Sequence, residues 1–449
     1  MAARDLTQGG VAGSLFRLTA PMMLAVSSSI VVQMIEIGFI GQLGTAELAA
    51  ITFTFPLVMI LNSVALGIGI GTSSVIARTV GSGERDVVRR LGTHALFLVA
   101  GVLSLLSLIG WLTIDAVFTA LGADATTLPL IHEYLDIYYP SVVMLTLSMV
   151  AGNVLRANGN AGIPGLIMTC GAMLNLALDP VLIFGWFGLP RMELAGAATA
   201  NALSRVFMVT VLLTYLYRTQ LVATTAVFQG FFASARQILT IGIPAIATQM
   251  IGPVSAAIIT RMLAGHGEVV VAGFGVATRI EAVSIMLLFA LSGSIGPFVG
   301  QNWGAGRKDR VQQGLNVSYQ FSIAWGAVAA LLVYVFGVNF AGLVDDNEEV
   351  VRAATIYLAI VPWTYGLWGV LMMASASFNA LGKPLPSTAL SFTRMFILYV
   401  PLALVMNRYF GYQGIFYATA ISNGVMGVLG YIWFRNRFFP APKTAVAQA

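Results

Sequence analysis

Charge is scarce in this chain. Lys and Arg number 23, Asp and Glu 18, so only 9% of 449 residues carry charge. A soluble globular protein carries roughly 25%. With 58% hydrophobic residues and a mean hydropathy of +0.87, the chain lacks the polar side chains to cover itself in water. Cysteine occurs once, at Cys170, which excludes an internal disulfide. Histidine occurs three times, at His94, His132 and His266, each near the end of an apolar run. Zinc and haem ligand spacings are absent. So are a Walker loop and a Ser/His/Asp constellation, and neither an ATP-driven pump nor a hydrolase is supported. The formal net charge is +5, yet the basic residues sit in short clusters between apolar runs rather than along one face. That placement argues against nucleic acid as a partner.

What is present in abundance is apolar sequence of membrane-spanning length, about 20 residues per span. Twelve spans are expected, at roughly 15–40, 49–76, 91–115, 128–154, 162–186, 195–217, 238–264, 271–299, 313–339, 351–377, 384–406 and 411–434. Polar or Gly-rich turns separate them. The start of the chain is polar and lacks a charged-then-apolar pattern, so no cleaved signal peptide is expected. A short disordered tail is expected at 440–449.

The two halves match at a constant offset of 223 residues. Pro21 recurs as Pro244, and Gly81, Gly83 and Asp86 as Gly304, Gly306 and Asp309. Tyr134 and Leu135 recur as Tyr357 and Leu358, and Ala157 and Gly159 as Ala380 and Gly382. Six spans per half is an even number, so both halves share one orientation, related by a pseudo-two-fold axis along the membrane normal. The expected fold is an all-α integral membrane protein. Its parts are an N-terminal six-helix lobe at 1–217, a cytoplasmic linker at 218–237 with room for a short interfacial helix, and a C-terminal six-helix lobe at 238–439. A duplicated bundle of this kind is the usual build of a secondary transporter, in which two lobes rock around a site. With both termini inside, sixteen Lys and Arg fall in inner segments and three in outer ones, which sets the orientation.

A charge at the bilayer centre costs about 2.5–3.5 kcal/mol on insertion scales, so an ionisable residue deep in a span needs a reason. Glu36, Asp179 and Glu281 qualify. Asp179 follows Asn175 at i, i+4, which stacks a carboxylate and an amide on one helix face. Pro180 frees a backbone carbonyl one turn earlier, which is tolerated where it lines a cavity. The plainer alternative is a pair that caps or glues helices. Glu36 shares a face with Gln33, on a span that Pro21 should kink. Its plainer alternative is an interfacial residue that snorkels to water. Glu281 and Arg279 are i, i+2 and do not face each other, so each is expected in a structural helix–helix ion pair with another partner. Asn153 and Thr199 offer neutral oxygens. The offset partners of Glu36 and Asp179 are Ile259 and Leu402, so the second half does not duplicate that ionic chemistry.

Several strings together resemble the multidrug and toxic compound extrusion (MATE) family, and its DinF-like branch in particular. They are Gly41-Gln42-Leu43-Gly44 with Glu47-Leu48-Ala49-Ala50, Arg156 to Asn160, Asn175 to Pro180, and Gly300-Gln301-Asn302-Trp303-Gly304-Ala305-Gly306-Arg307. The resemblance covers nearly the whole chain. It implies two six-helix lobes that exchange access across the membrane. It also implies a cation- or proton-coupling set at Glu36, Asn175 and Asp179, joined by Asn153 and Thr199, with Pro21 as a hinge. The family residue at Glu36 is usually Asp, a departure that could move the proton site. The NorM-like branch has carboxylates in spans 7 and 10, which are absent here, and this places coupling in the first lobe.

The expected function is a multidrug efflux antiporter, not an enzyme. It would export amphipathic, often cationic compounds against H+ or Na+ by alternating access, with no cofactor beyond that ion and no bound metal. It would work as a monomer among membrane lipids in a bacterial inner membrane, both termini cytoplasmic. Two alternatives stand beside it: a lipid-linked oligosaccharide flippase of the same superfamily, and a non-transporting membrane receptor or scaffold.

Overall fold

The computed structural model describes residues 5–440, and all but the first residue of the tail expected at 440–449 lies outside them. Among the described residues the regular structure is all helical, and twelve helices are long and apolar enough to cross a membrane. They are α1 (Val11–Gly41), α2 (Thr45–Ser82), α3 (Arg85–Leu112), α4 (Thr127–Ala157), α5 (Gly162–Phe184) and α6 (Glu193–Arg218) in the first half. The second half has α7 (Phe231–Ala264), α8 (Glu268–Gly304), α9 (Lys308–Gly342), α10 (Glu348–Ala380), α11 (Pro384–Phe410) and α12 (Tyr412–Phe438). Every expected span has its helix. Several helices overrun the apolar run: α2 continues to Ser82 and α3 begins at Arg85, because a polar turn of helix is satisfied by its own backbone bonds once it leaves the apolar stretch.

The linker holds no interfacial helix. Residues 221–230 are turns and bends, and positive φ at Gln220, Ala226 and Gly230 breaks any helical path. The segment before α4 is set by Asp124, whose carboxylate accepts from the Thr126 and Thr127 backbone N–H groups at 3.1 and 2.7 Å. Those bonds, Thr127 foremost, hold this exposed carboxyl at about 2.

By contact the chain divides into two compact units that do not follow the sequence halves. Unit 1 comprises Met1–Pro253, Gly296–Arg307 and Asn379–Gly382; unit 2 comprises Val254–Ile295, Lys308–Phe378 and Lys383–Ala449. In unit 1, α4 is central and packs on α2, α3 and α6, while α5 lies between α1 and α6. Gly165 on α5 admits α1, since a Cβ there would stand 2.7 Å from the Pro21 carbonyl oxygen. The Gly300–Arg307 string also works in unit 1. The Gln301 side chain accepts from the Leu6 N–H at 3.1 Å and donates to the Ala157 carbonyl at 2.7 Å. Asn302 donates to the Leu6 carbonyl at 3.2 Å. The Arg78 guanidinium donates to Ser74 at 2.9 Å and to the Ala380 carbonyl at 2.8 Å.

In unit 2 two spans depart from ideal α-helix, both beside proline. α10 tightens to a 3₁₀ turn at Val361–Thr364, and α11 loosens to a π stretch at Thr393–Tyr399 just before Pro401. Proline removes a backbone donor, and the neighbouring carbonyls re-partner with a different register. The α9–α10 crossing depends on Gly326, where a Cβ would collide with the backbone of Gly366. Small residues at such a crossing let membrane helices approach closely. We expect Gly326→Leu to cost about 1–3 kcal/mol through overpacking. Thermal unfolding in detergent should show this as a lowered midpoint, and an unchanged midpoint would mean that the crossing has slack.

Candidate functional site

Unit 1 carries an open cavity of about 360 Å³ lined by α1, α2, α4, α5 and α6. Helical period decides what faces it. From α1 come Ser29, Gln33, Glu36 and Ile40; from α5, Met168, Gly171 and Asn175; from α6, Asn201, Ser204, Arg205 and Met208. The spacings of three and four residues mark a single stripe on each helix. Tyr134, Tyr138 and Leu145 of α4 and Val58 of α2 are among the other lining residues.

The ionic groups form two hydrogen-bonded pairs within electrostatic reach of each other. Glu36 is half-buried and accepts from the Asn201 amide at 2.6 Å. Asp179 is 0% exposed and accepts from the Asn175 amide at 3.0 Å through Oδ2. The second carboxylate oxygen of Asp179 and the amide oxygen of Asn175 are buried without a hydrogen-bond partner. Such orphaned acceptors are uncommon in native proteins and call for an explanation. Glu36 and Asp179 lie within electrostatic reach of each other, and Tyr134 lies within reach of both. Arg205, 8% exposed, donates to Ser141 at 2.7 Å and sits 4.7 Å from the Tyr138 ring centroid.

This arrangement offers hard oxygen donors, two of them unspent, in an enclosure that a charge would enter only with compensation. A proton on Asp179 would give these acceptors a donor, whereas a hard cation would need oxygens beyond these two. Among the described residues, no group of three or more His, Cys, Asp or Glu side chains is gathered to hold a metal ion.

The expected residues are placed as follows. Glu36, Asn175 and Asp179 come together. Asn153 and Thr199 do not join them. Asn153 accepts from Arg156 at 2.8 Å and does not line the cavity, and Thr199 falls two residues from Asn201, on another face of α6. Asn201 takes the place assigned to Thr199. The cue was available: Asn201, Ser204 and Arg205 repeat at i, i+3 and i+4, a polar stripe on a spanning helix. Pro21 lies inside an unbroken α1, and Ser27, Ser28 and Ser29 each bond the carbonyl four residues back, at 2.7, 2.8 and 2.9 Å. Back-bonding of this kind weakens the helical ladder and favours bending. The ion pairs expected of Arg279 and Glu281 are corrected: among the described residues neither forms one, Arg279 being exposed and Glu281 accepting from the Tyr357 hydroxyl at 2.6 Å.

Comparison with known proteins gives a consistent picture. The family described as MatE matches residues 21–181 and again 244–405, and the two stretches start 223 residues apart, the offset of the internal repeat. A protein described as an FAD transporter of Shewanella oneidensis is 33% identical over 93% of each chain. The probable multidrug resistance protein YoeA of Bacillus subtilis is 26% identical over 92% of each chain. Among solved structures, the Vibrio cholerae MATE transporter VcmN in its bent form superposes with a TM-score of 0.91. It is 28% identical, and the match covers 95% of this chain and 97% of that one.

Proposed function

The chain belongs to the MatE family of multi-pass membrane transporters, and from that premise we propose that it is a cation-coupled exporter of small amphipathic molecules. The observation that carries this reading is the pair of orphaned acceptors on Asn175 and Asp179, with Asn175 and Glu36 on the wall of one cavity and Asp179 buried behind it. Coupling then follows from linkage. If H+ or Na+ and substrate favour different states of the same cavity, each cation bound on one side releases substrate on that side. Asn201 and Arg205 hold and bias the carboxylates, Tyr134 covers them, and α1 with Pro21 and its serine triplet is the pliable wall. The multidrug names of relatives such as YoeA support drug-like substrates. The excess of Lys and Arg in the inner segments supports a bacterial inner membrane with both termini cytoplasmic. The working unit is a monomer among lipids.

A second reading has its own support. The relative at 33% identity is described as an FAD transporter, and Arg205 supplies a buried positive charge at the cavity wall that would suit an acidic substrate. An oligosaccharide flippase is less well supported, because a large cationic cavity would need more than this single arginine.

Everted membrane vesicles separate these readings. Ethidium should dissipate a preformed pH or Na+ gradient in vesicles that contain the protein and not in vesicles that lack it. Dissipation by FAD and not by ethidium would select the flavin reading, and dissipation by neither would overturn the proposal.

A further inference from the structure

The internal repeat shows where a second site should lie. Subtracting 223 carries Glu281, Tyr357, Trp368 and Arg394 onto Val58, Tyr134, Leu145 and Gly171. All four of those residues line the first-half cavity. The second half therefore has its own version of that wall, with a carboxylate and a guanidinium where the first half has Val and Gly. The tyrosine at the shared repeat position meets a carboxylate in both halves: Tyr134 is within reach of Glu36, and Tyr357 bonds Glu281.

The charges of this cluster are close and unpaired. Glu281 on α8 accepts from Tyr357 at 2.6 Å, and the buried Tyr365 of α10 brings a second hydroxyl within reach of the same carboxyl. Arg394 is also within electrostatic reach of Glu281 and forms no ion pair with it. Its guanidinium donates to Asn423 of α12 at 3.0 Å and lies 5.9 Å from the Trp368 ring centroid. The Tyr399 hydroxyl of α11 also lies within reach of Arg394. A carboxylate and a guanidinium left apart in a bilayer interior are costly unless the acid is neutral or the two collapse together. Arg394 sits in the π stretch Thr393–Tyr399, a local register that can slide to ordinary helix.

We propose that Glu281 is a second proton-exchange site, in unit 2, whose occupancy sets the position of Arg394. With the proton on the Glu281 carboxyl, Arg394 rests on Asn423 and Trp368, as observed. When the O–H bond breaks and the proton passes to water, the carboxylate draws Arg394 toward it and the π stretch re-registers. The site takes a proton and no metal ion, because the neighbouring guanidinium disfavours any further cation. Its use in transport rests on the exporter reading; its protonation does not.

Infrared titration of the full-length protein in lipid nanodiscs tests this without a transport substrate. The protonated-carboxyl band of the wild type should lose one component as pH rises. That component should be missing in Glu281→Gln and retained in Glu36→Gln and Asp179→Asn. Arg394→Gln should move its midpoint to higher pH, since removing a positive neighbour favours the neutral acid. Tyr357→Phe, which deletes only a hydroxyl, should shift its frequency. A Glu281→Gln titration superposable on the wild type overturns the proposal. So does an unshifted band in Tyr357→Phe, should Glu281→Gln fail to fold. Failure of the vesicle assay with a positive titration would sink the exporter reading alone.

Discussion

Asp179→Asn should bring cation-driven export down to the level of vesicles lacking the protein, with the amount in the membrane unchanged. Asp179 is fully enclosed, and one of its oxygens has no partner. The substituted amide keeps an oxygen for the Asn175 donor at 3.0 Å, so packing survives while the exchangeable charge is lost. Stability should move the other way. Replacing a buried charge by a neutral group of the same shape is often neutral or stabilising, so the thermal midpoint should stay level or rise. A purely structural Asp179 predicts the reverse pair, a lowered midpoint with export retained in whatever protein folds. Measuring export and thermal midpoint on one preparation therefore separates the two roles.

Glu36→Gln should abolish the dependence of export on the cation gradient, and Glu36→Asp should retain part of it. Gln keeps an oxygen for the Asn201 donor now at 2.6 Å, so the change isolates charge. Asp keeps the charge but is one methylene shorter, and must either lose that bond or draw α1 inward. Asn201→Leu should then resemble Glu36→Asp rather than Glu36→Gln, because it removes the positioning donor and leaves the carboxylate. Export by Glu36→Gln at the wild-type rate with an unchanged pH profile would remove Glu36 from the coupling set.

The span count and the repeat were legible because both depend on one-dimensional properties: the length of apolar runs and a constant offset. The carboxylates were legible because charge in a span is rare enough to stand out. What remained hidden depended on helical phase. Thr199 and Asn201 differ by two positions, about 200° around the helix, so one faces the cavity while the other cannot. Residue type alone ranks them equally. The fate of Glu281 was hidden for another reason. Its partner Tyr357 lies 76 residues away, and no local rule links the two. The unexpected π stretch of α11 was foreshadowed by Pro401, although a proline alone does not say whether the neighbouring turn tightens or loosens; α10 did the first and α11 the second.

The bonds from Leu6 to Gln301 and Asn302 also bear on how the protein is handled at the bench. Both backbone groups of Leu6 are committed to side chains nearly 300 positions away, each no more than 1% exposed. Leu6, just ahead of α1, is thus part of the folded body. Trimming through Leu6 would strip a buried glutamine of a donor. Fusions are better carried after α12, where no comparable bond ties Phe439 and Pro440 to a distant helix among the described residues.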